Sequence, residues 1–134
     1  MSQEVRGEFQ RWFIKAEEDL NLVLKLLKDE DANQFTSSIG FHCQQAIEKF
    51  LKAFLIYNQK EFIRTHDLNL LRNLCSEIDS DFVILEFGEL IEFAVDYRYP
   101  DDSYIPELEE VKAYKELILN IKMMIETKII KIEM

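Results

Sequence analysis

The stretch NQFTSSIGFHCQQAIEKFLKAFLIYN, residues 33–58, decides the fold. Phe35, Ile39, His42, Cys43, Ala46, Ile47, Phe50 and Phe54 recur at spacings of three and four, the period of one helix face. Phe41, Leu51 and Leu55 carry the apolar surface further round the cylinder. A helix that is apolar on most sides is central in its fold or shared with a partner. This helix is therefore the main pointer in the sequence to a homodimer, seconded by Ile129, Ile130 and Ile132 near the C-terminus.

Four more helical segments surround it. Trp12, Phe13, Ala16, Leu20, Val23, Leu24 and Leu27 form one face of a first helix, which closes in a turn near 31–33, where Asp29, Glu30 and Asp31 oppose the helix dipole. Asp67 caps a short third helix carrying Leu68, Leu71, Leu74, Cys75 and Ile78. Asp79 or Ser80 starts a fourth, with Phe82, Leu85, Leu90, Phe93, Ala94 and Tyr97, which Pro100 stops. Only Phe82–Leu85 in it reads equally well as a strand. The fifth starts between Ser103 and Pro106, with Glu107, Glu109 and Glu110 at the positive end of its dipole. Its inner face is Val111, Tyr114, Leu117, Ile118, Ile121 and Met124 or Ile125. The expectation is an all-α, up-down antiparallel bundle of about five helices, in a single domain spanning 1–134.

Composition agrees. The chain has 134 residues, 48% apolar and 31% charged, with three glycines and two prolines, too few for a sheet protein rich in tight turns. Its net charge is −10. Residues 67–110 alone carry thirteen acidic and two basic groups, while residues 32–66 and 111–134 are each net positive by two. General polyanion binding is disfavoured, but a local basic face is not. No run approaches the roughly 20 apolar residues of a membrane span, and the N-terminus has no apolar signal region. Cys43 and Cys75 sit in apolar helical patterns and read as buried free thiols, so a cytoplasmic protein without membrane, metal or cofactor is expected.

Three places can carry chemistry. Arg98, in Tyr97-Arg-Tyr-Pro-Asp-Asp102, either pairs with Asp96, Asp101 or Asp102 or presents its planar donor fork to an anion. His66, at a helix start, either bonds loop backbone or acts as general acid–base. His42 reads as an internally satisfied residue. A zinc site from His42, Cys43, His66 and Cys75 has suitable residue types, but neighbouring residues on a helix diverge by about 100°, so His42 and Cys43 do not easily share a metal.

The order of these features resembles the HEPN domain family over about residues 9–130. The likeness rests on Trp12, Ala16 and Asp19-Leu20, on Phe41-His-Cys-Gln-Gln-Ala-Ile-Glu-Lys-Phe-Leu-Lys-Ala53, on Thr65-His66-Asp67-Leu68, and on Arg98-Tyr99-Pro100. The second piece is similar to the family's Gln-Gln-x-x-Glu-Lys-x-x-Lys-Ala signature. The resemblance implies a homodimeric bundle, encoded beside a small nucleotidyltransferase as half of a toxin–antitoxin pair. Many such proteins are metal-independent ribonucleases that use an arginine followed, four to six residues on, by a histidine. Here those positions are Ser103, Tyr104 and Ile105. Arg98 carries over, and His66 stands in only if the fold brings the two together. The resemblance thus implies a nucleotide or RNA site formed by Arg98, Tyr99, Asp101 and Tyr104, with Arg98 and His66 as the catalytic pair of the ribonuclease alternative. A non-catalytic structural dimer is the third reading.

Overall fold

Ser2 accepts a hydrogen bond from the Val5 amide and so caps the first helix, α1, Gln3–Leu27. The computed structural model describes residues 2–93 and 105–133, of which 130–133 by backbone alone. After a turn at 28–31 and one 3-10 turn, Ala32–Phe35, comes α2, Thr36–Tyr57. It is buried on almost every side: Ile39, Cys43, Ile47, Phe50, Leu51, Phe54 and Leu55 are all out of solvent. α1 runs antiparallel to it, as Phe9 meets Tyr57 and Phe13 meets Phe50 edge to face while Asp19 meets His42.

A left-handed cap reverses the chain at the end of α2. Gln59 has φ +55°, the Lys60 amide donates to the Leu55 carbonyl, and the Gln59 amide donates to the Ile56 carbonyl. This pattern of two reverse bonds usually takes glycine at the left-handed position, since a Cβ costs about 1 kcal/mol there. The segment 60–67 then returns along α2 until the His66 carbonyl lies against Gln44. From Leu55 to Gln44 is eleven residues, or about 16 Å of helix axis, and the leg between Lys60 and His66 is long enough to cover it only in a largely extended form.

Asp67 starts α3, Leu68–Ile78, by accepting from the Asn69 and Leu70 amides. α3 lies beside α2 in the same direction, with the Cys75 thiol on the Leu51 carbonyl. Two 3-10 turns, Ser80–Ile84 and Gly88–Phe93, bring the chain back. Phe82 stacks on Phe54, and Phe93 lies over Gly40. α4, Leu108–Glu133, closes the bundle, with Lys122 paired to Glu17 of α1 and Lys128 to Asp79 and Asp81.

The all-α class is as the sequence implies, but α3 runs in the same direction as α2 and not antiparallel to it, because the leg 60–67 reverses the chain before Asp67 starts the helix. Within the described residues the fourth segment is not one α-helix. Gly88 has φ +52° and Leu85 is extended, so the apolar residues Phe82, Leu85, Phe87, Leu90 and Phe93 reach the core through two tight turns. Ala94, Tyr97 and Pro100 lie outside the described residues. The last helix starts at Leu108, with Glu107 as its cap and Pro106 one residue further out. Phe35 is 40% exposed and drops out of the α2 stripe. The wide apolar surface of α2 is covered by α1, α3, α4 and the 3-10 leg, so this chain's own packing accounts for it.

A Cβ added at Gly40 meets the Phe93 ring at 2.9–3.2 Å. Gly40→Ala is therefore expected to cost about 1 kcal/mol, an overpacking loss of ~1–3 kcal/mol set against a helix-propensity gain of ~1 kcal/mol. In a Phe93→Ala background only the gain remains, and the same substitution should stabilise. Denaturant midpoints of the four proteins check this change of sign.

Candidate functional site

Residues three or four apart on a helix stand in one row, and two polar rows run along the otherwise apolar α2. Gln44, Glu48 and Lys52 make the first, and each is almost wholly buried. The Lys52 ammonium donates to Glu48 Oε2 at 3.0 Å. Gln44 Nε2 donates to Glu48 Oε1 at 3.1 Å and to the His66 carbonyl at 3.3 Å. His66 Nδ1 stands 3.0 Å from Glu48 Oε1. A carboxylate that already accepts from lysine and glutamine only accepts, so the ring nitrogen carries the proton and donates. On its other side Lys52 lies 5.4 Å from the centre of the Trp12 ring, a cation–π contact.

His42, Gln45 and Lys49 make the second row, and α1 meets it with Asp19. His42 Nδ1 lies 2.9 Å from Asp19 Oδ1, and Lys49 Nζ donates to Oδ2 at 2.6 Å. Burial pushes the Asp19 carboxyl up, but the bonds from His42 and Lys49 outweigh it and hold the group below the usual aspartate value. Gln45 Nε2 donates to Gln44 Oε1 at 2.7 Å and joins the two rows. Both histidines thus have the same surroundings: a carboxylate on Nδ1 that a lysine neutralises. They differ in exposure, with 55% of the His66 side chain open to solvent and 28% of that of His42.

The sequence placed His66 at a helix start, and there it sits. Thr65 Oγ1 accepts from the Asp67 amide and Asp67 caps α3, so the loop on both sides of His66 is fixed. His42 is internally satisfied, through Asp19. Arg98, Tyr99, Asp101 and Tyr104 lie outside the described residues. Phe93, five residues before Arg98, rests on Gly40, one turn of α2 from Gln44. The four candidate zinc ligands do not converge. Each histidine is held by a carboxylate, the two thiols are buried and pushed up to about 12 by loss of solvation, and no cluster of three metal-ligating side chains occurs among the described residues. The sequence reading left Glu48, Lys52, Gln44 and Asp19 without a role. The available signal was a polar row at 44, 48 and 52 inside a helix apolar on most sides.

The family model described as HEPN domain matches residues 9–131. The chain belongs to the HEPN domain family. No curated protein and no solved structure matches it. At the signature positions of this HEPN domain, Gln44, Gln45, Glu48, Lys49 and Lys52 belong to the two polar rows, Ala53 packs in the core, and Thr65-His66-Asp67-Leu68 is the turn that docks on them.

Asp19 gives the domain an acid-sensitive joint. A carboxyl depressed in the folded state stabilises above its unfolded value of about 3.8, and that contribution is lost as pH falls through the folded value. Asp19→Asn should lower stability by about 1–3 kcal/mol near neutral pH. It should also flatten the decline in thermal midpoint between pH 5 and pH 3, which a series of melts at fixed ionic strength measures.

Proposed function

We propose that this HEPN domain binds a nucleotide or an RNA phosphodiester on the face that carries His66, with Arg98 as its anion-holding residue, and that it works as a homodimer beside a small nucleotidyltransferase in a toxin–antitoxin-type pair. The observation that carries the reading is the half-exposed ring of His66, held at Nδ1 by a buried carboxylate. Its Nδ1 is committed to the interior while more than half of the side chain faces solvent, where His42, with a like partner, is largely covered. The family membership supports the rest, together with Phe93, which anchors the chain near Gln44 five residues ahead of Arg98. Tyr99, Asp101 and Tyr104 follow Arg98 closely and complete the proposed contact set.

The anchored ring also favours a second reading, a metal-independent ribonuclease that uses Arg98 and His66. The family's histidine four to six residues after the arginine is missing, and His66 offers an imidazole in its place. The homodimer rests on the family and on exposed apolar side chains such as Ile84 and Met123, which line a groove of about 660 Å³ between the 3-10 leg and α4.

Arg98→Ala should weaken nucleotide or RNA binding by about 10–100-fold, the worth of a charge-assisted contact of ~1.5–3 kcal/mol. The thermal midpoint should move little, and Arg98→Lys should recover only part of the loss, lacking the bidentate fork. In the ribonuclease reading His66→Ala should slow cleavage ~10²–10⁴-fold. Fluorescence titration with nucleotides and short RNAs at fixed salt tests this. A collapsed midpoint with affinity retained in the folded fraction makes Arg98 a structural ion-pair residue and overturns the site. Sedimentation at tens of micromolar should give twice the 16 kDa chain mass, and a monomer contradicts the dimer.

A further inference from the structure

We propose that Glu48 is the positioning residue of His66: from inside the bundle it fixes the imidazole as the Nδ1–H tautomer and turns the bare Nε2 outward as a proton acceptor. The proposal rests on the reading that this face binds a nucleotide or RNA, and it deepens that reading by assigning how the ring is made ready. In water a neutral histidine exchanges between two tautomers, and only the one with Nε2 bare can accept a proton at that atom.

Four observations converge on Glu48. Its carboxylate is 5% exposed, so its bond to the ring competes with little water. Lys52, itself 6% exposed, neutralises it at Oε2 and leaves Oε1 for the ring. Gln44 holds Glu48 Oε1 and the His66 carbonyl with the two hydrogens of one amide, so backbone and ring of His66 are fixed against the same helix. No partner of His66 Nε2 occurs among the described residues, and the side chain is more than half open. A proton taken by Nε2 from a ligand hydroxyl or water yields an imidazolium, which keeps its Nδ1–H bond to Glu48. His42 has a like pair of partners, Asp19 and Lys49, but is about half as exposed, which makes it the internal reference and not a second acceptor.

The test is the long-range ¹⁵N–¹H spectrum of the two histidine rings in uniformly ¹⁵N-labelled protein, recorded without ligand where the rings are neutral. The expected result is one His66 tautomer, Nδ1 protonated and Nε2 bare. An averaged pair of shifts, or a proton on Nε2, overturns the proposal in the wild-type protein with no variant required. Glu48→Gln, where folded, should return the His66 shifts to the averaged pattern while those of His42 stay put; unchanged His66 shifts also overturn it. Activity is read separately on a short oligouridylate. Glu48→Gln should lower its cleavage by roughly 10²-fold or more, as when a histidine loses the group that sets its tautomer. An intact tautomer with no binding or cleavage of nucleotide and RNA counts against the functional reading alone. A lost tautomer counts against Glu48 alone.

Discussion

A lysine and a glutamate share the middle of the most buried helix in this protein. Each is about as deeply covered as the phenylalanines around it, and taking either charge out of water costs several kcal/mol unless the partner is in place. The 3.0 Å bond between Lys52 and Glu48 is therefore a constraint on everything that packs there. It obliges Trp12 of α1 to lie against the lysine, Gln44 to complete the carboxylate, and the chain after α2 to return far enough to bring His66 to the same oxygen.

That return is where fold and site meet. The left-handed cap at Gln59 turns the chain, 60–67 runs back along α2, and Asp67 then starts α3 in the direction of α2. Had α2 simply been followed by an antiparallel helix, the start of that helix would lie at the far end of the bundle from Gln44. The irregular leg puts a helix start, and the histidine in it, beside the polar row. The second return, through the 3-10 turns 80–93, carries Phe93 to Gly40 at the same end.

Much of the helical skeleton was legible in the sequence because burial on a helix leaves a period. Ile39, Cys43, Ile47, Phe50 and Phe54 announce α2, and Val111, Ile118, Ile121 and Ile125 announce α4. The 3-10 leg was not legible, since Phe82, Leu85, Leu90 and Phe93 fit a helical spacing and only the positive φ of Gly88 and the extended Leu85 show otherwise. Of the site, His66 was visible as a residue type at a helix start. Its partner was hidden because Glu48 and His66 are eighteen residues apart, joined by a reversal that turns on Gln59, a residue type that does not usually mark a left-handed cap. A charged pair four apart on a helix is ordinarily a solvated one, and only three-dimensional burial shows that this one is not.

Buried ion pairs contribute little net stability compared with apolar residues of the same size, so the role of this one is to place His66. The double replacement Glu48→Leu with Lys52→Met removes both charges at similar volume, and the ring-nitrogen spectrum of His66 in that protein tests the claim most directly. The expected result is a folded protein with a midpoint near that of wild type, in which the His66 ring averages between tautomers. A folded double variant whose His66 keeps a single Nδ1–H tautomer, or one that no longer folds, would contradict it.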